Sequence, residues 1–171
     1  MTKCTELASP VGTLLLAASA NGLTHLLFAD TCGQPLRAKS RPDSDGSAQS
    51  SRILEDTQSQ LAEYFAGERR AFEVPLAAEG TEFQREVWHA LTEISYGALS
   101  SYGALAHHIG RSRAVRAVGA ANGANPISII VPCHRVIGHN RRLTGYGGGL
   151  PAKRLLLELE GVGFNGDRID A

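Results

Sequence analysis

The sequence is poor in cysteine, in long apolar runs and in net charge, and each shortage removes a class of protein. Its three cysteines in 171 residues, Cys4, Cys32 and Cys133, lie far apart with no Cys-x-x-Cys among them. An odd, scattered set builds neither a disulfide framework nor a zinc cluster, so no metal is expected and at least one thiol is free. No stretch approaches the roughly 18 apolar residues of a membrane span, and residues 1–9 lack the positive start and apolar run of an export signal. The expected setting is the cytoplasm, with no membrane partner. Lys and Arg total 17, as do Asp and Glu, so the chain is not coated with positive charge for indiscriminate nucleic-acid binding. What remains, 43% apolar and 20% charged residues, is the composition of an ordinary globular protein.

The balanced total hides an uneven distribution. Residues 1–79 carry seven Lys/Arg against ten Asp/Glu, whereas residues 80–171 carry ten against seven. Between residues 94 and 157 stand eight basic side chains (Arg111, Arg113, Arg116, Arg135, Arg141, Arg142, Lys153, Arg154) and no acid. That is a local signal for a polyanion, set against the plainer alternative of a solvated basic face.

The pattern divides near residue 78, giving expected domains over 1–78 and 79–171. In the first, apolar runs on either side of Asn21-Gly22 predict a β-hairpin over residues 12–28, since both turn residues tolerate positive φ. Residues 34–51 have almost nothing to bury and predict an exposed loop. Ile53, Leu54, Leu61, Tyr64 and Phe65 predict a helix stopped by Gly67, and residues 72–76 a strand. In the second, Thr81 and Gln84 form a capping-box pattern that opens a helix carrying Phe83, Val87, Leu91 and Ile94. Ser101 and Ser112 can each cap a short helix, the later one carrying Val115, Val118 and Ala121 before Asn122-Gly123. Two short helices around a glycine turn suggest helix-turn-helix. The β-branched run Ile127-Ser128-Ile129-Ile130-Val131 predicts a buried strand that Pro132 ends, with Cys133 at its tip. A glycine-rich turn over residues 145–149 precedes a helix opened by Pro151.

Taken alone, Cys133 is either a small buried hydrophobe or a nucleophile. As a nucleophile it needs a base or a positive field, because only the thiolate attacks and a free thiol is mostly protonated at neutral pH. Pro132-Cys133-His134-Arg135 offers both within one segment. Adjacent residues of an extended chain face opposite sides, so His134 reaches Cys133 through a water or a bend, and Glu160 is the candidate carboxylate to orient the imidazole. Arg116 is either a solvated helix residue or a group that contacts phosphate or fills a gap in a base stack. Tyr102 is either a core aromatic or a phenol that reaches DNA.

Together these residues resemble the O6-alkylguanine-DNA alkyltransferases, also called methylated-DNA–protein-cysteine methyltransferases. Ile130-Val131-Pro132-Cys133-His134-Arg135-Val136 matches the family's active-site signature. Arg116-Ala117-Val118-Gly119 and Asn125-Pro126 match its recognition helix and the turn after it, and Tyr146, the glycine run and Glu160 continue the match. The resemblance implies an α+β fold, with a ribonuclease H-like α/β domain followed by a helical domain of winged-helix type. It implies single-turnover transfer of the alkyl group from O6-methylguanine, and from O4-methylthymine, in double-stranded DNA to Cys133, by a monomer with no cofactor. In it, Cys133, His134, Glu160 and a water form the relay that yields the thiolate, and Asn125 braces the turn before the cysteine. Ser101, Tyr102, Arg116, Ala117, Ala121, Asn122 and Gly123 hold the minor groove. Arg116 enters the space of a flipped nucleotide, while Tyr102 crowds its phosphate and protonates the leaving guanine. Val136, Tyr146, Gly147 and Gly148 line the substrate pocket.

Two positions depart from the pattern: Ser112 stands where relatives often have proline, and Gly147 where some have serine. The four-cysteine zinc domain fused to the adaptive-response relatives has no counterpart, so no transcriptional role is expected. Three alternatives compete. Cys133 itself counts against a non-catalytic alkyl-base sensor, the Pro-Cys-His-Arg segment against a regulator without chemistry, and the DNA features against a cysteine hydrolase.

Overall fold

Asn21-Gly22 turns β2 (Gly12–Ser19) back onto β3 (Gly22–Phe28) as an antiparallel pair, as the hairpin expectation requires. The computed structural model describes residues 2–29 and 47–170, which fall into two units, Met1–Glu79 and Gly80–Ala171. In the first unit β1 (Lys3–Ser9) pairs with the other edge of β2. Its mixed sequence, Lys-Cys-Thr-Glu-Leu-Ala-Ser, has no apolar alternation, so the strand was not predictable. Leu14, Leu16, Leu23 and Leu26 are buried in this sheet, and α1 (Ala48–Phe65) packs on it with Ile53, Leu54, Leu61 and Tyr64 buried.

Two expectations in this unit need correction. Residues 48–51 are helical rather than loop, because Ser47 caps α1 by accepting from the Ser50 N–H at 3.2 Å; residues 34–46 of the expected loop lie outside the described residues. Residues 72–76 form a single bridge, Leu76 to Leu23, rather than a strand. Pro75 has no N–H to give a ladder. Gln60 of α1 occupies both backbone groups of Glu73, accepting its N–H at 2.8 Å and donating to its carbonyl at 3.3 Å. The bridge also explains Gly22, where a Cβ would sit 2.6 Å from the Pro75 carbonyl oxygen.

The second unit opens with α2 (Glu82–Thr92), and its capping box is complete. The Gln84 N–H donates to Thr81 Oγ1 at 3.1 Å and the Thr81 N–H to Gln84 Oε1 at 3.0 Å. Thr81→Ala is expected to destabilise this unit by about 1 kcal/mol, read from chemical denaturation. Ser101 caps α3 (Tyr102–His108) by accepting from the Ala104 N–H at 3.1 Å. The expected cap at Ser112 does not form. Its hydroxyl bonds His107 Nδ1 at 3.2 Å instead, and α4 (Val115–Gly123) starts from Ala114 without a side-chain cap. Helices α2, α3 and α4 bury Val87, Leu91, Leu105 and Val118 together, and Trp88 ties α2 to α4 by donating to the Ala121 carbonyl at 2.8 Å.

Beyond α4 the chain makes two short sheets that position the site. β4 (Ser100–Ser101) pairs in parallel with β5 (Val136–Ile137), so the start of α3 lies beside the segment that follows Cys133. Helix α5 (Leu150–Leu159), with Pro151 in its first turn, packs with the β6 (Gly163–Asn165) and β7 (Arg168–Asp170) hairpin around Ile137, Leu157, Val162 and Ile169.

Candidate active site

Residues 127–131 are buried as expected, save the half-buried Ile130, but do not form a strand. Ile127, Ile129 and Val131 are at most 4% exposed, while the backbone folds into successive tight turns. The Ile130 N–H donates to the Ser128 carbonyl at 2.8 Å across Ile129, whose φ is +71°. The Cys133 N–H donates to the Val131 carbonyl at 2.8 Å across Pro132, at φ −82° and ψ 61°, an inverse γ-turn. A β-branched residue at positive φ is an outlier costing on the order of 1–3 kcal/mol. Asn125 holds the segment in this shape. Its Oδ1 accepts from the Ile127 N–H at 3.0 Å, and its Nδ2 donates to the carbonyls of Ile127 at 3.2 Å and Val131 at 2.9 Å. A β-branched apolar run reports burial, and here a side chain takes the backbone groups that a neighbouring strand would have used.

Cys133, His134 and Arg135 then form one 3₁₀ turn, all three buried. His134 is fully enclosed and its Nε2 lies 2.7 Å from Glu160 Oε1. Glu160, the C-cap of α5, also takes two bonds from Arg135, Nε to Oε2 at 2.9 Å and Nη2 to Oε1 at 3.0 Å, and accepts the Gly97 N–H at 3.4 Å. The Arg135 guanidinium sits 5.9 Å from the centre of the Tyr96 ring. Burial alone would raise the Glu160 carboxyl, but the His134 and Arg135 bonds and charges overcome it and bring the group from its ordinary 4.5 to about 2. Burial lowers His134, and the opposing pull of Glu160 does not reverse that, so the imidazole is neutral at neutral pH. Its Nε2 then holds the proton toward the ionised carboxylate. Nδ1 has no hydrogen-bond partner among the described residues.

Burial pushes the Cys133 thiol up, while the Asn125 side chain, the charge of Lys153 and the local backbone N–H groups pull it down. Lys153 was counted in the basic window without a role, yet it is fully buried, donating to the carbonyls of Val136 at 2.7 Å and Thr144 at 2.8 Å. A sequence signal existed. Lys153, Leu156, Leu157 and Glu160 share the i, i+3, i+4, i+7 stripe of α5, where a lysine and a glutamate among leucines mark a built polar site.

The other expected residues are distributed as follows. On α4, Arg116, Ala117 and Gly123 are exposed, whereas Ala121, whose carbonyl accepts from Trp88 of α2, and Asn122 are buried. Tyr102 is half-buried against α4, since a Cβ on Gly119 would lie 3.7 Å from its Cδ1, one helical turn from Arg116. Ser101 is half-buried as a helix cap. Val136 is fully buried, Tyr146 and Gly148 are half-buried, and Gly147 is exposed. Arg135 and Lys153 turn inward, while Arg111, Arg113, Arg116, Arg141 and Arg142 are exposed, Arg111 pairing with Glu86 at 3.3 Å. Among the described residues no group of three or more His, Cys, Asp or Glu could hold a metal ion, and no helix is long and apolar enough to cross a membrane.

A buried thiol that shares one 3₁₀ turn with a neutral imidazole, itself bonded to an ionised carboxylate, is the equipment of a cysteine nucleophile. Family comparison gives that class its particular form. The DNA-binding domain of 6-O-methylguanine DNA methyltransferase matches residues 82–162, and the ribonuclease-like domain of the same family matches residues 2–78. The chain belongs to the 6-O-methylguanine DNA methyltransferase family. A methylated-DNA–protein-cysteine methyltransferase of Methanosarcina acetivorans is 48% identical over 154 residues, 90% of this chain and 94% of the relative. The crystal structure of Mycobacterium tuberculosis O6-methylguanine methyltransferase is 48% identical with a TM-score of 0.80, covering 94% of this chain and 93% of that one. A structure of Mycobacterium tuberculosis OGT in complex with DNA is 46% identical with a TM-score of 0.77, covering 93% and 91%.

Proposed function

We propose that this protein repairs O6-alkylguanine in double-stranded DNA by moving the alkyl group irreversibly to Cys133. The observation that carries the proposal is the buried His134–Glu160 pair, 2.7 Å apart, whose histidine follows the thiol in one 3₁₀ turn. His134 Nδ1 is the proton acceptor, reached from Cys133 through a water. The thiolate sulfur attacks the alkyl carbon, the S–C bond forms as the C–O6 bond breaks, and the electron pair leaves on guanine. The Tyr102 hydroxyl supplies the proton that neutralises it. The thioether product has no good leaving group, so each molecule acts once.

A thiol only 6% exposed cannot meet a base that stays stacked in a duplex, so the target nucleotide rotates out. Arg116 fills the gap and Tyr102, beside it, crowds the phosphate. Helices α3 and α4 act as a winged-helix-type helix-turn-helix in the minor groove, with Ala117 and Gly123 allowing close approach. Val136, Tyr146, Gly147 and Gly148 form the pocket, Asn125 braces the loop beneath it, and O4-methylthymine is a second substrate. The protein works as a monomer in the cytoplasm.

The test uses duplex DNA carrying one methyl-labelled O6-methylguanine. Label should plateau at one equivalent per chain, all of it on the Cys133 peptide. Continued turnover would point to a hydrolase, and binding without transfer to a sensor.

A further inference from the structure

The α5 face that supplies Glu160 also supplies an ammonium group with no carboxylate. Lys153 is fully buried, and its Nζ donates to two neutral acceptors, the carbonyls of Val136 and Thr144. Among the described residues no carboxylate lies within 4.0 Å of it. A buried cation with only carbonyl partners is costly, and such groups are retained where a counter-charge forms. The surrounding charges are otherwise matched. On the 3₁₀ turn, Arg135 is satisfied by Glu160 through two bonds and His134 is neutral. On α5, Arg154 pairs with Glu158 at 2.9 Å. Among the described residues of the turn that α5 contacts, the group that acquires a negative charge in the reaction is the sulfur of Cys133.

We propose that Lys153 is a positioning residue whose buried ammonium is the counter-charge of the Cys133 thiolate, and that its two carbonyl bonds fix the nucleophile turn to the loop leading into Tyr146. This inference rests on the alkyl-transfer reading. Electrostatic coupling runs both ways between the two groups: Lys153 eases ionisation of the thiol, and the sulfur's charge favours the ammonium, although burial outweighs it and brings the lysine down to about 8. Glutamine at this position keeps a hydrogen-bond donor and removes the charge, whereas arginine keeps the charge.

The experiment follows the rate of methyl transfer from methylated duplex to the protein from about pH 6 to about pH 10. In Lys153→Gln the midpoint of the profile moves up by about one unit, the neutral-pH rate falls about tenfold, and the rate recovers in alkali. Lys153→Arg keeps the wild-type midpoint. An unmoved midpoint in the glutamine variant, or an equal loss at every pH, overturns the proposal. Should that variant fail to fold, the wild-type chain still decides. Lysine side-chain NMR should show Lys153 titrating at lower pH once Cys133 is methylated, and an identical titration before and after overturns it. A wild-type chain that takes no label from DNA sinks alkyl transfer itself, whereas a labelled wild type with an unmoved variant sinks only this inference.

Discussion

Replacing Cys133 by alanine abolishes transfer of label from methylated DNA to the protein, while affinity for the duplex stays within about twofold of wild type. The sulfur is the only atom of the site that bonds to the migrating carbon, so no neighbour substitutes for it. Arg116, exposed on α4, is untouched. The substitution removes little buried volume, and unfolding should shift by no more than about 1 kcal/mol. Gel-shift titration alongside the labelled assay checks both halves. Residual transfer in the variant would assign the chemistry to another residue; loss of binding would mean that the thiol loop and the DNA face are not separable.

Glu160→Gln is expected to be damaging in two measurable ways. The amide cannot accept as a charged group from both His134 and Arg135, which leaves a guanidinium buried without its counter-charge; this costs about 3–5 kcal/mol and lowers Tm by about 10 °C. The imidazole also loses the carboxylate that sets its tautomer, and the transfer rate should fall by a factor of about 10² or more. The pH dependence has a defined sign. Glu160 titrates near 2 in the folded chain against an ordinary 4.5, so its stabilisation is complete above about pH 4.5 and is lost as pH falls toward 2. Wild type should therefore lose more stability through that window than the glutamine variant does. Equal acid profiles for the two would refute the depressed carboxyl.

Which parts were legible in the sequence follows from what kind of signal each carried. Thr81 and Gln84 announced α2 because a capping box depends on residues three apart, and Asn21-Gly22 announced its hairpin for the same local reason. Cys133, His134 and Glu160 were recognisable by residue type and order, and the structure brings His134 and Glu160 into hydrogen-bond contact across 26 positions. The strand expected at 127–131 failed because apolar β-branching measures burial, and a neighbouring side chain, Asn125, decided the backbone. The basic window includes Arg135 and Lys153, but their buried partners, Glu160 and two carbonyls, are set by tertiary packing. The resemblance puts Ala121 and Asn122 on the DNA face, and their burial on α4 is an outcome of packing that no local pattern reports.

The two γ-turns flanking Ile130 and Val131 bear on the thermodynamics of recognition. Each confines a residue to a narrow part of dihedral space, and Asn125 fastens the segment between them, so the conformational entropy of the nucleophile loop is surrendered during folding and not when DNA arrives. Of the ordering that a reaction needs, the sulfur's share is complete before the encounter, and what remains to be organised belongs to the nucleotide.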